Sequence, residues 1–444
     1  MASAAEQLAA NINFSAFAKA EELQKRILFT LGALIVYRLG CYIPMPGIDA
    51  DALTRAMEQQ RGGLMDLFNM FSGGALERMA IFALNVMPYI SASIIVQLLS
   101  STVPRLEALK KEGEAGRKQI NQYTRYLTVV LAALQSWGIA RGLEASPGIV
   151  TNPGLFFEFS TIITLTGGTI FLLWLGEQIT SRGIGNGTSL IIFVGIVASL
   201  WTGIFHTLDS MMTGALAWYA ALAIFGLVGV IIVVIVYFER AQRRLLVQYP
   251  KRQQGNRVFG GESSHLPLKL NSAGVIPPIF ASSLLLLPAT IANFNTQGAP
   301  EWLTDTVALL GHGKPLYMLM YGGLIVFFCF FYTAIIFNPR ETADNLKKYN
   351  GFLPGIRPGQ KTAEYIDYVL TRLTVVGAIY ITAVCLVPEF IVAQYGANLL
   401  ALGGTSILIL VTVTMDTVAQ VHSHLLAHQY ESLIKKSKFR GAKR

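Results

Sequence analysis

Few side chains in this 444-residue sequence are placed to do chemistry. His422, His424 and His428 contain one pair four residues apart, the spacing that sets two imidazoles on one helix face as a metal site requires. No carboxylate or cysteine stands near enough in sequence to complete that site, so the histidines read as the polar end of a helix. Neither a metal nor a cofactor is expected. No G-x-S-x-G, H-E-x-x-H or G-x-x-x-x-G-K-[ST] pattern occurs, and the chain is not expected to be an enzyme. The densest group is cationic: Arg240, Arg243, Arg244, Lys251, Arg252 and Arg257 crowd one stretch, a density suited to docking a polyanionic partner or to fixing membrane topology.

The elements that carry these residues are membrane spans. The chain is 53% hydrophobic and 14% charged, against roughly 25% charged in a soluble domain. Apolar runs long enough to cross a hydrocarbon core recur at about 27–43, 75–99, 126–142, 156–176, 188–205, 216–238, 270–293, 316–337, 366–388 and 403–424, which makes ten. The first follows a tail containing Glu6, Glu21 and Glu22 with no small-residue cleavage site after it, so it is expected to be retained. Of 35 Lys and Arg, all but Arg38, Arg55, Arg61, Arg78, Arg141 and Lys314 fall on one side of this pattern. The positive-inside rule then puts both termini in the cytoplasm and turns the net charge of +9 into an orientation signal. Cys41, Cys329 and Cys385 lie in or beside apolar runs, far apart, and read as small buried hydrophobes.

Three features break the pattern. Residues 62–72 (GGLMDLFNMFS) are apolar but long enough for only about half a bilayer, and they carry Asp66 and Asn69 between glycine pairs. A half-helix packed inside the protein, or lining a water-filled cavity, fits better than the alternative, an interfacial helix on the outer surface. Spans 2 and 7 carry Pro88 and Pro277–Pro278, expected to kink them, beside small residues Ser91, Ala92, Ser93 and Ala281, Ser282, Ser283 that permit close helix approach. Two such helices five spans apart suggest a five-plus-five repeat of inverted topology. Third, ionisable groups avoid span centres: Glu177, Arg182, Glu239 and Asp416 sit at cytoplasmic ends and Glu158 near an outer one. A proton relay is disfavoured, and a secondary small-molecule transporter with inverted repeats stays as the alternative function.

Longer motifs then converge: IPMPGI (43–48), FNMFSGGAL (68–76), MPYISASIIVQLL (87–99), KKEGEAGRKQINQYTRY (110–126), WLGEQITSRGIGNGTSLIIF (174–193), HLPLKLNSAGVIPPIFASS (265–283), NPRETADNLKK (338–348), PGIRPG (354–359) and GGTS (403–406). In this order they resemble the SecY family of protein-conducting channels, over about residues 20–436. The resemblance implies an all-α polytopic membrane protein whose ten transmembrane helices form two pseudo-symmetric inverted halves of five around a central pore. Its divisions would be a cytoplasmic tail (1–26), an N-terminal half (27–205), a C-terminal half (206–424) with docking loops 239–269 and 338–365, and a basic tail (425–444).

Function and site residues follow from the same resemblance. The chain would be the pore-forming subunit that passes unfolded preproteins across the membrane and releases membrane segments laterally into lipid. The plug would be the short helix 62–74, with Leu64, Asp66, Phe68, Asn69, Phe71 and Ser72. The pore ring would take Val86, Ile90, Thr188, Ile192, Ile279 and Ile409; Thr188 departs from the aliphatic pattern, so either one polar member is tolerated or Leu190 or Ile191 faces the pore instead. Spans 2 and 7 would form the lateral gate through Ser91, Ser93, Gln97, Ile276, Pro277, Ser282 and Ser283. Arg243, Arg244, Lys251, Arg252, Arg257 and Arg357 would dock the ribosome, through its RNA and proteins, and the SecA motor ATPase. Implied partners also include SecE and SecG homologues as a heterotrimer, preprotein signal sequences, membrane lipid, SecDF and YidC. The implied location is the cell inner membrane.

Overall fold

The computed structural model describes residues 20–49, 52, 53, 55, 69–145, 148–214, 217–250, 252–254, 257–259, 263–294, 314–395 and 403–441. Within them run α1 (Glu21–Gly40), α2 (Met87–Thr102), α3 (Pro104–Lys111), α4 (Glu114–Ala145), α5 (Leu155–Arg182), α6 (Gly187–Met212) and α7 (Trp218–Arg240). Then come β1 (Gln242–Gln248), β2 (Arg252–Gln254), β3 (Arg257–Phe259) and β4 (Ser263–Lys269). The chain continues with α8 (Ile276–Phe294), α9 (Pro315–Ile336), α10 (Pro339–Lys348), α11 (Gln360–Tyr395) and α12 (Gly404–Gly441). Each of the ten expected spans coincides with one of these helices. Among the described residues six helices, α5, α6, α7, α9, α11 and α12, are both long and apolar enough to cross a membrane by length and composition alone.

Local chemistry explains many helix starts. Proline stands in the first two positions of α2, α3, α9 and α10, where its missing N–H has no intrahelical partner to lose and its fixed φ suits a first turn. Asn186 caps α6 by accepting from the Thr188 and Ser189 amides, and Asn338 caps α10 by accepting from those of Arg340 and Glu341. Pro88 and Pro277–Pro278 therefore begin α2 and α8; the expected kinks are replaced by helix starts. Pro288 lies inside α8 and Pro388 inside α11.

Span 2 differs most from expectation. Its helix begins at Met87, and residues 73–86 run as tight turns that are buried almost throughout. Backbone without helical bonds survives at membrane depth only where protein satisfies it. Here the segment Ile43–Met45 does so: the Met45 amide donates to Met79 O at 2.9 Å and the Ile81 amide to Ile43 O at 3.1 Å. Met79 and Asn85 hold left-handed φ values of 41° and 50° to make these turns.

The packing is a repeat. In the first half α2 packs on α4, α4 on α5, α5 on α6, and α1 on both α5 and α6. In the second, α8 packs on α9, α9 on α11, α11 on α12, and α7 on both α11 and α12. Numbered as spans, the second set is the first advanced by five, and an odd number of crossings inverts one half relative to the other. The halves meet where α2 and α4 touch α8, where α6 touches α7 and α12, and where α1 touches α12.

Loop 239–269 is not irregular. β1 and β4 pair antiparallel, Gln242 opposite Lys269 through Gln248 opposite Ser263, with β2–β3 as a second short ladder. These small sheets are the exception to an otherwise all-α protein.

Candidate functional site

A cavity of about 630 Å³ opens between the halves. Its wall takes Ile90, Ser93 and Gln97 from α2, which fall on one helix face; Asn186, Thr188, Ser189 and Ile192 from the start of α6; and Ile276, Ile279 and Phe280 from α8. Tyr89, Asn121, Arg125 and Glu177 complete its polar side. Arg125 and Glu177 pair at 2.6 Å, both about half exposed, so the pair contributes at most about 1 kcal/mol and acts mainly as fixed polar lining.

Four of the six residues assigned to the ring thus share one wall. Thr188 is among them, whereas Ile191 is fully buried and Leu190 is buried beneath Gly185. Val86 and Ile409 do not line this cavity. Both are buried in the apolar cluster that also holds Ile90, Ile192, Met70 and Phe71, with Ile279 packed against it.

The seam between α2 and α8 carries the residues assigned to the gate unevenly. Ser93, Gln97 and Ile276 face the cavity, and Gln97 Nε2 donates to Ser93 Oγ at 3.3 Å. Ser91 is half-buried away from it, and Pro277 is buried. Ser282 and Ser283 are buried and both donate to Ile279 O, at 2.9 and 2.8 Å. Satisfying their hydroxyls within their own helix leaves a small surface facing α2 that needs no partner there.

Of the short helix, Leu64, Asp66 and Phe68 lie outside the described residues; Asn69–Ser72 form its visible turn. Asn69 Oδ1 accepts from the Glu77 amide at 3.0 Å, and its Nδ2 donates to Glu77 Oε2 at 3.1 Å. Met70 and Phe71 are buried in the same apolar cluster as Val86, Ile90, Ile192 and Ile409, which fits a packed half-helix rather than one lying on the surface. Close backbone approach seats it: a Cβ on Gly195 of α6 would stand 2.5 Å from Phe71 O. Arg38 donates to Gly73 O at 2.7 Å, and both Arg38 and Arg78 lie over the Tyr42 ring, at 5.2 and 4.3 Å.

The two loops assigned to docking pack together. Leu245 and Val247 turn inward from β1 onto Leu268, Leu353, Ile366, Val369 and Leu370, and Gln248 exchanges backbone bonds of 2.9 and 3.0 Å with Phe352. Arg243 and Arg244, on opposite faces of β1, are both exposed, as is Arg357. Arg357 sits between Gly355 and Gly359, at φ 80° and 104°, and its carbonyl accepts from Thr362 Oγ1 at 2.9 Å. Lys251 lies outside the described residues, and Arg252 and Arg257 are described as strand backbone only. His422 and His424 lie on α12, and no group of three or more metal-ligating side chains occurs among the described residues.

Sequence reasoning missed Asn85, Ser199, Tyr37 and Arg38 around the short helix, and the Arg125–Glu177 pair. The only signal available was polarity out of place in apolar runs.

A family profile described as SecY matches residues 80–418. The protein translocase subunit SecY of Escherichia coli strain K12 is 56% identical over 424 residues, covering 95% of this chain and 96% of its own. A solved SecY channel, whose plug domain stabilises the closed state of the translocation channel and maintains a membrane seal, superposes with a TM-score of 0.64 at 17% identity, over 90% of this chain and 92% of that one. Sec61 in the canine ribosome–channel complex from the endoplasmic reticulum gives 0.62 at 17% identity, with the same coverage.

Proposed function

The chain belongs to the SecY family of protein-conducting channels, and from that premise we propose how its residues divide the work of passing unfolded preproteins through the pore that this subunit forms. One observation carries the assignment: Ile90, Thr188, Ile192 and Ile279 line one cavity with Ser93, Gln97 and Ile276 of the α2–α8 seam. An apolar constriction dewets and resists ions, while flexible aliphatic side chains part around a polypeptide. Val86, Ile90, Thr188, Ile192, Ile279 and Ile409 are the ring. Residues 62–74 are the plug, supported by the burial of Met70 and Phe71 in the apolar cluster that holds Val86, Ile90, Ile192 and Ile409.

A signal sequence or membrane segment would leave between α2 and α8, where small residues pack closely and part without breaking large interlocked contacts. Halves 27–205 and 206–424 rock against one another, each tied internally by the same helix pairs. The hairpin and Arg357 turn, joined as one cytoplasmic body, dock the ribosome and the SecA motor; the likeness to a ribosome-bound channel supports the first, and exposed Arg243, Arg244 and Arg357 offer charge to phosphate or acidic partners. The chain works with SecE and SecG homologues in the cell inner membrane, both termini cytoplasmic, with SecDF and YidC as further partners. A small-molecule transporter finds no counterpart among the relatives named above.

The test is reconstitution. Purified with SecE and SecG homologues into liposomes, the chain should import an unfolded preprotein when SecA and ATP are supplied. Correct assembly without import, or ion-gradient-driven solute uptake without SecA, overturns the assignment.

A further inference from the structure

The C-terminal end of the short helix is held by an arrangement that its own sequence does not supply. A helix end leaves carbonyls without intrahelical partners, and burying them unsatisfied is costly. Here four successive carbonyls each accept from a side chain on another element. Ser199 Oγ of α6 donates to Met70 O at 3.2 Å, Asn85 Nδ2 to Phe71 O at 2.6 Å, Tyr37 Oη of α1 to Ser72 O at 3.5 Å, and Arg38 Nη1 to Gly73 O at 2.7 Å. Asn85 is almost wholly buried, its Oδ1 has no partner among the described residues, and its φ of 50° is one that glycine adopts without strain. Glycine would suit that backbone as well, and what Asn85 adds is an amide donor to Phe71 O.

All four donors belong to the first half. The second half offers Ser406 Oγ of α12, which donates to Met70 Sδ at 3.0 Å, a weak acceptor. We infer that Asn85 and Ser199 are positioning residues that clamp the C-terminal turn of the short helix to the first half, so that its seat survives when the halves part and the seal returns to one register. When the halves separate, the thioether contact breaks and the four carbonyl bonds persist. This rests on residues 62–74 being the seal.

The experiment uses the complex reconstituted with its SecE and SecG homologues, reading resting ion conductance and the ratio of import of a preprotein with a defective signal sequence to one with an intact signal. Asn85→Gly keeps the backbone conformation and removes the donor; Ser199→Ala removes a hydroxyl that Ser199→Thr retains. Asn85→Gly and Ser199→Ala should each raise resting conductance about fivefold, the shift that follows from losing one neutral hydrogen bond, and raise the import ratio. Ser199→Thr should match the parent. Deletion of Asp66–Phe71 separates the two levels. If the deletion leaks and Asn85→Gly is tight, the clamp is wrong and the seal stands; if both are tight, the seal fails and the clamp with it. A leak in Ser199→Thr equal to that of Ser199→Ala overturns the role of the hydroxyl.

Discussion

Single side chains in this protein act by what they are not allowed to be. Arg357 is an exposed cation at the head of a turn whose glycines hold left-handed φ, so its guanidinium is presented from a restricted backbone rather than from a loose loop. Arg357→Glu should cut SecA-driven import at least tenfold in vesicles while complex yield and thermal stability stay unchanged, because an exposed substitution away from packing alters stability by about 0.5 kcal/mol or less; import at the parent rate would refute its docking role. Gly195 is the opposite case, a residue defined by space. Its missing Cβ admits Phe71 O, and Gly195→Ala should cost about 1–3 kcal/mol through overpacking, seen as a lowered unfolding temperature together with raised resting conductance. Thr188 is the polar member of the cavity wall. Thr188→Val, similar in volume and without the hydroxyl, should lower resting ion conductance by favouring dewetting; conductance equal to the parent would remove it from the ring.

Elements divide into those that hold and those that part. α2 is short because the first part of its crossing, residues 73–86, is irregular chain whose bonds come from Ile43–Met45 and from its own turns. This segment holds the short helix through Asn85, which donates to Phe71 O, and through Glu77, which bonds Asn69. The three native cysteines are buried, so a cysteine introduced at Ser93 and another at Ile276 can be linked selectively by a bifunctional reagent. That link should abolish lateral release of a membrane segment into lipid, measured by its resistance to carbonate extraction, while a channel linked in the same way within α5 remains active. Unimpaired release would show that the seam is not the exit. Deleting Asp66–Phe71 should raise resting ion leak, measured as dye or ion efflux from proteoliposomes; a tight deletion would return the short helix to the outer surface.

At the scale of the whole molecule, two halves with the same pattern of helix contacts enclose the cavity. Much of this was legible in the sequence. Lipid cannot hydrogen-bond a backbone, so each crossing must show as an apolar run of about twenty residues, and ten such runs with cations gathered on one side fixed the span count and the class of protein. Asp66 and Asn69 in an apolar run too short to cross likewise marked 62–74 as unusual. Other features were not legible. Residues 75–86 are as apolar as a helix, so hydropathy could not reveal that Met87 begins one, and prolines that start helices look the same in sequence as prolines that kink them. The β1–β4 hairpin was hidden in a loop read for its charge. The donors to the short helix stand 35, 14 and 129 positions from the carbonyls they serve, beyond any local pattern. Sequence by itself determined what must be buried in lipid, because the bilayer imposes that on every run independently. Only the tertiary structure decided which carbonyl meets which amide and which side chains share the cavity, because those pairings exist only once distant spans are packed together.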